Sequence, residues 1–399
     1  MRYFWLVLTS VISFTLGLPQ TAADGQMVPN VAFYIRRKVL LEDGGPNRTI
    51  RILVLAPESP KYPYSLFKVL AAVEFAVQKL EAQGRNGPLG GRSVKIYEKN
   101  THCSSTLGPL AAFDSYITGE VDVFLGPLCP YVLGPLSRYT AVWDIPLLTA
   151  GGQNDNFDQK KPYYSLLTRM NGSYTQIGHI FLKILRRFHW HVIALLFHNF
   201  SDHILGNSNC YFTLSAVYRK LNREVYYLNF DETDPKTNYS NILKDVTQHA
   251  RVIVMCASPN TVREILLAAE ELNMVDKGEY VFFSTELFTS KKENANPWMR
   301  KGDSQTRNKR ARKAYEALLT VTARKPETPE YAEFSRTVKD IAKKKFGFDY
   351  GEEEVNTYVT AFHEAVLLYV LALNETLEEG GHITNGSIIT QKMWNRTFE

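Results

Sequence analysis

Between Ile50 and Ser284 the chain alternates short apolar runs with segments of helical apolar spacing, and this order constrains the fold more than any other feature. Ile50–Leu55 is β-branched and apolar, as a buried strand requires. The next segment places Leu66, Val69, Leu70, Val73, Val77 and Leu80 on one helical stripe. Strands are then expected at Ser93–Tyr97, Asp122–Leu125 and Pro146–Thr149, with helices over Thr106–Ile117 and Tyr131–Trp143. The pattern resumes with helices at Tyr174–Phe188, Cys210–Leu221, Asn241–Thr247 and Asn260–Leu272. Between them fall strands at Val192–Phe197, Glu224–Phe230, Val252–Cys256 and Tyr280–Ser284. Such βαβα order makes parallel sheets covered by helices on both faces.

A Gly- and Asn-rich break over residues 151–162 divides the pattern into two similar runs, so the expected class is α/β with two lobes. The expected boundaries are 49–150 with 291–385 for lobe one and 151–290 with 386–399 for lobe two. The helix-rich stretch from Ala311 to Glu379 follows a polar insertion and is expected to pack back on lobe one.

The N-terminus speaks to compartment. Arg2 precedes an apolar run from Tyr3 to Leu18, followed by small and polar residues to Ala23. This is the pattern of a secretory signal peptide over 1–23; the run is short for a membrane anchor. Residues 24–48 read as a loose arm. Cys103, Cys129, Cys210 and Cys256 are an even set in a secreted chain, which suggests two disulfides rather than buried thiols. Three pairings are open; the sequential one closes loops of about 27 and 47 residues, each worth roughly 3.5–4 kcal/mol in the chain-entropy model. Asn47, Asn171, Asn199, Asn238, Asn374, Asn385 and Asn395 lie in Asn-x-Ser/Thr sequons and suggest a glycoprotein.

Several chemistries find no support. The net charge of +5 is mild and implies no nucleic-acid partner. There is no Gly-x-Gly-x-x-Gly after a strand, no Walker A motif and no Gly-x-Ser-x-Gly elbow, so no cofactor and no enzyme activity are expected. His189 and His191 flank Trp190 without an acidic or Cys partner at ligand spacing, so no metal site is expected. The basic run Arg300–Lys313 reads as a solvated loop and helix start, or as a dibasic processing site at Arg307-Asn308-Lys309-Arg310.

The helix beginning at Cys210 carries Leu214, Val217 and Leu221 on its core stripe, which turns Phe212 away from that core. An outward aromatic is either a lone exposed side chain or a partner surface.

Two strings, Phe124-Leu125-Gly126-Pro127-Leu128-Cys129-Pro130-Tyr131 and Trp143-Asp144-Ile145-Pro146-Leu147-Leu148-Thr149-Ala150-Gly151, resemble the natriuretic peptide receptor ectodomain. So do Asn209-Cys210-Tyr211-Phe212, Phe230-Asp231-Glu232-Thr233, Val254-Met255-Cys256-Ala257-Ser258, Arg300-Lys301-Gly302-Asp303 and Met393-Trp394-Asn395-Arg396. The resemblance runs in order from about Arg51 to the end and is nearer the clearance-type receptor than the guanylyl cyclase receptors.

The resemblance implies a type I periplasmic-binding-protein fold with three crossovers, and Cys103–Cys129 and Cys210–Cys256 pairing. It further implies a homodimer that clamps one peptide hormone between two chains. Tyr131, Arg138, Phe212, Tyr218 and Phe230 match peptide-contact positions, and Asp114 an acidic position on the dimer helix. Asp114 shares a stripe with Leu107, Leu110 and Ala111; the alternative is a buried, satisfied carboxylate. A chloride site is implied at the Leu128 and Cys129 N–H groups, with Thr101 supplying the hydroxyl. Ser215 and Ser105 stand where the family carries acidic contacts, which removes two charge partners for a basic hormone.

In the family, the point matching Glu399 precedes the third crossover, the stalk and the membrane span. A membrane link is therefore expected only through sequence beyond this chain, with a cell-surface location in that case and secretion otherwise. Two other readings stand beside the receptor: a small-molecule-binding module of the same fold holding an amino acid-like solute between lobes, and a secreted decoy.

Overall fold

The computed structural model describes residues 48–201, 206–221, 224–287, 296–323 and 326–396. The expected signal peptide, most of the arm, and Asn47 lie outside these residues.

The first sheet contains β1 (Ile50–Ala56), β2 (Val94–Asn100), β3 (Val123–Leu125), β4 (Leu147–Thr149) and β5 (Leu167–Arg169), in the order β2-β1-β3-β4-β5. The second contains β6 (Ile193–His198), β7 (Tyr226–Phe230), β8 (Val252–Cys256), β9 (Val281–Glu286) and β10 (Leu318–Thr322), in the order β7-β6-β8-β9-β10. All pairings are parallel. Both sheets therefore share a 2-1-3-4-5 strand order, in which the ligand crevice of an open α/β sheet falls outside the carboxyl ends of the strands that flank the reversal. Here those strands are β1 and β3 in one sheet and β6 and β8 in the other.

Central strands such as β1, β6 and β8 are almost wholly buried, as their largely apolar composition requires, with Arg51 the partly exposed residue of β1. Helix α1 (Leu66–Glu81) buries all six residues of its predicted stripe. It packs on one face of the first sheet, while α2 (Leu107–Ile117) and α3 (Pro130–Trp143) cover the other. On the second sheet α4 (Thr175–Arg187) and α5 (Asn209–Leu221) cover one face; α6 (Tyr239–His249), α7 (Pro259–Glu271) and α8 (Gln305–Ala314) cover the opposite one. Helices α9 (Pro329–Phe346), α10 (Thr357–Glu378) and α11 (Gly386–Met393) return to the first sheet. By length and composition α10 could cross a membrane, but it is a core helix with 67% of its apolar window buried.

Three expected boundaries shift. Strand β5 pairs with β4, so the first lobe runs to about Arg169 rather than to 150. Strand β10 pairs with β9, and α8 packs on the second sheet, so residues 305–322 belong to lobe two. Helix α11 packs against the first lobe: the Ser387 N–H donates to Asp144 at 2.7 Å, which removes 386–393 from lobe two. The two short strands carry too few apolar residues to stand out, and α11 is fixed by contacts distant in sequence.

Both disulfides take the sequential pairing, with Cα–Cα distances of 5.6 Å for Cys103–Cys129 and 5.2 Å for Cys210–Cys256. The second ties the start of α5 to the end of β8, at the carboxyl edge of its sheet.

Candidate functional site

The carboxyl ends of β3 and β6 lead into α3 and α5. Gly126 follows β3 at φ +87°, and a Cβ there would lie 2.1 Å from the Leu55 carbonyl oxygen, so only glycine lets the chain leave the sheet at this point. Pro130 then opens α3, a position where its missing N–H costs nothing. Tyr131 in the first turn of α3 and Phe212 in the first turn of α5 meet with ring centroids 6.1 Å apart. One aromatic comes from each lobe. Tyr131 is 40% exposed and Phe212 is half-buried, its edge against Tyr211. Phe212 thus lies at the mouth between lobes, half-buried, with one side packed against the core of its own lobe and the other toward Tyr131.

Arg138 lies seven residues after Tyr131 and so on the same stripe of α3. It is exposed, with its guanidinium 5.3 Å from the centroid of the Tyr163 ring. Tyr218 does not join this group: six residues from Phe212, it points to another side of α5 and rests edge-on over Tyr227 of β7. Phe230 requires a correction. It is only 6% exposed, sits in the core beneath α6 and packs edge-on against Tyr239. The last residue of β7 points inward, and buried there the ring offers no surface to a ligand.

Behind the Tyr131–Phe212 pair the lobes close on Tyr64, Tyr174 and Tyr358, none of which the sequence singled out. With Leu128, Pro130, Gly151, Gly152, Gln153, Asn154 and Asn209 they line a cavity of about 10 Å³, room for roughly one water. Burial pushes the Tyr174 phenol up to about 12, opposed by a hydrogen bond with Thr213. Burial, reinforced by neighbouring tyrosines, also raises Tyr64 and Tyr358. Across the same boundary Arg219 of α5 makes a two-point ion pair with Asp155 of the first lobe. Asn207 donates to the Tyr131 hydroxyl.

Asp114 is exposed on α2 and pairs with Lys99 at 2.7 Å, which rules out the buried-carboxylate alternative. Beside it Leu107, Leu110 and Ile117 are each at least half exposed, and Val142 on α3 is 59% exposed. Thr101 is fully buried next to the first disulfide, and its Oγ1 accepts from the Cys103 N–H at 3.3 Å; Leu128 and Cys129 are also buried. Among the sequons, Asn238 and Asn395 are exposed. The Nδ2 groups of Asn171, Asn199 and Asn374 donate to Ala150, Asn207 and Glu378 respectively. Asn385 is half-buried.

Packing explains part of the basic run. Arg307 pairs with Glu264, Arg310 with Glu270 and Glu271, and Lys313 with Asp276, which ties α8 to α7 and the turn that follows it, while Lys309 and Arg312 are exposed. Arg307-Asn308-Lys309-Arg310 lies inside this helix rather than in an extended segment open to a protease.

These elements define a ligand-binding module of the periplasmic-binding-protein type. Solved structures bear out the fold. The leucine-binding protein LivK from Thermotoga maritima aligns with TM-score 0.54 at 14% identity, covering 86% of this chain and 87% of that one. A branched-chain amino acid transporter's periplasmic ligand-binding protein from Burkholderia xenovorans aligns at 0.61 and 12% identity, covering 88% and 83%. Residues 68–399 match the receptor family ligand binding region, and the chain belongs to that family. It is 37% identical over 361 residues to atrial natriuretic peptide receptor 3 of Homo sapiens, covering 89% of this chain and 65% of the relative. To the receptor-type guanylate cyclase gcy-28 of Caenorhabditis elegans it is 29% identical over 450 residues, covering 99% and 34%. The chain thus spans about 65% of the receptor 3 relatives it matches.

Proposed function

We propose that the chain is the extracellular part of a dimeric peptide-hormone receptor that binds without chemistry. The observation that carries this reading is the pairing of Tyr131 with Phe212 above an interlobe cavity sized for about one water. An aromatic pair at the mouth suits a peptide-sized ligand better than an amino acid-like solute. The aromatic pair and Arg138 supply contact area at low entropy cost and a donor for carbonyl or carboxylate groups. Tyr218 with Tyr227 forms a second aromatic contact.

The apolar stripe Leu107–Leu110–Ile117, with Asp114 in its middle, suits a self-complementary subunit interface. Peptide binding at the dimer shifts the relative orientation of two chains. An anion donated to by the Thr101 hydroxyl and the Leu128 and Cys129 N–H groups fits beside the first disulfide, because Thr101 uses only its acceptor capacity toward Cys103. Glycans at Asn238 and Asn395 and a cell-surface location complete the reading.

Calorimetry and sedimentation with atrial natriuretic peptide and with leucine test it. The expected result is one peptide per two chains and no heat with leucine. A single leucine per monomer, with no chain pairing, would replace the receptor reading with the small-molecule one.

A further inference from the structure

Among the described residues, the cluster of positive charge at the end of α4 lacks counter-charges. No Asp or Glu occurs between Asp158 and Asp202. Within that stretch α4 ends in Lys183, Arg186 and Arg187, and the turn into β6 reads Phe188-His189-Trp190-His191-Val192. Lys183, Arg186, Arg187, His189 and His191 are all exposed, and among the described residues none of them pairs with a carboxylate. The contrast is α8, where Arg307, Arg310 and Lys313 each meet an acid.

Favourable placement of Arg186 and Arg187 at the carbonyl end of α4 accounts for two of the five groups. It does not account for Lys183, for the two histidines, or for the exposed Phe188 ring beside them. Phe188 is 56% exposed and stacks on Trp190 at 4.7 Å with an interplanar angle of 18°. At the same end of the second sheet, Arg251 precedes β8 and adds another cation; the nearby carboxylates Glu224 and Glu279 pair with none of these groups. This end is opposite the carboxyl edge that carries Tyr131 and Phe212, so a ligand here does not compete with the peptide.

We propose that this pole of the second lobe binds a linear sulfated polysaccharide. Lys183 and Arg187 stand one helical turn apart, about 6 Å along the axis, with Arg186 beside Arg187 at the same helix end. A row of cations fits a chain of sulfates. The flat Phe188–Trp190 stack lies against the protein, where it offers a face to sugar rings rather than a wedge for insertion into lipid.

Retention on immobilised heparin and titration with a size-defined heparin oligosaccharide test the site with the whole chain. The variant Lys183→Gln/Arg186→Gln/Arg187→Gln is expected to weaken binding at least tenfold. It should also lower the slope of log Kd against log salt by roughly two to three, since each ionic contact releases about one counterion. Arg187→Gln alone should show about a third of that slope change. Lys301→Gln/Lys309→Gln/Arg312→Gln, which removes as much exposed charge elsewhere, should bind like the parent. The site is refuted if the first variant keeps the parent's affinity, or if the Lys301/Lys309/Arg312 variant loses as much. It is also refuted if the parent binds phosphatidylserine vesicles but not heparin.

Discussion

The Tyr131 hydroxyl accepts two hydrogen bonds from Asn207, one from its backbone N–H at 2.9 Å and one from its side-chain amide at 3.2 Å. Residue 131 belongs to the first lobe and residue 207 to the loop before α5 of the second. The neighbouring Gly206, at φ +70°, leaves no room for a Cβ, which would sit 2.5 Å from the Tyr131 ring. The loop therefore fixes the orientation of the ring that faces Phe212.

If that ring is a peptide contact, its truncation and its release have different sizes. Tyr131→Ala is expected to weaken peptide binding by about 2 kcal/mol or more, roughly 30-fold, as for a central aromatic anchor. Tyr131→Phe keeps the ring but loses both bonds, so the expected loss is nearer 1 kcal/mol, about fivefold. Titration calorimetry with atrial natriuretic peptide distinguishes them. Unchanged affinity in the alanine variant takes Tyr131 out of the site.

Phe230 should behave as core. Phe230→Ala empties a position between β7 and α6, and the expected cost is roughly 3–5 kcal/mol of stability. The measurement is the urea midpoint at constant slope, alongside the peptide Kd of the folded fraction. A selective loss of affinity at parental stability would return Phe230 to the ligand surface.

The contrast between Phe212 and Phe230 shows what was legible in the sequence. The phase of α5 could be read because Leu214, Val217 and Leu221 mark its buried side over about two turns, and Phe212 falls opposite. No such reference exists at the end of β7, where alternation assigns two faces without saying which one a helix will cover. The buried strands were legible because parallel strands covered on both faces are continuous apolar runs. β5 is three residues ending in Arg169, and β10 is a half-exposed edge with two threonines, so neither carries that signal. The acids that pair with Arg307 and Arg310 of α8 lie some 40 residues upstream on α7, a relationship only the folded chain reveals. The tyrosines behind the cleft are likewise gathered from positions 64, 174 and 358.

The proposed dimer rests on the α2 stripe. Leu110 is 58% exposed, so Leu110→Asp should leave the stability of a single chain within about 0.5 kcal/mol. In a self-complementary interface the same change places two charges face to face and is expected to yield monomers by sedimentation, with peptide binding lost. A variant that still pairs shows that another surface joins the chains.

The buried tyrosines set an alkaline limit. An ordinary phenol ionises near pH 10, whereas burial holds that of Tyr174 up to about 12. Below pH 10 the group is neutral in both folded and unfolded chains and its effect on stability does not change. From pH 10 to 12 the unfolded chain releases the proton and the folded chain keeps it, so stability falls as pH rises. The expected slope is about 1.4 kcal/mol per pH unit for this group. Tyr64 and Tyr358 are shifted in the same direction and steepen the fall. Urea unfolding between pH 9 and 12 should therefore show a sharp loss of stability, and Tyr174→Phe should reduce its slope by about one proton. Loss of the hydrogen bond with Thr213 lowers the whole curve without tilting it, so slope and offset separate the two effects. An unaltered slope in the phenylalanine variant would mean that Tyr174 ionises in the folded chain as freely as in water, and that the lobes do not close over it.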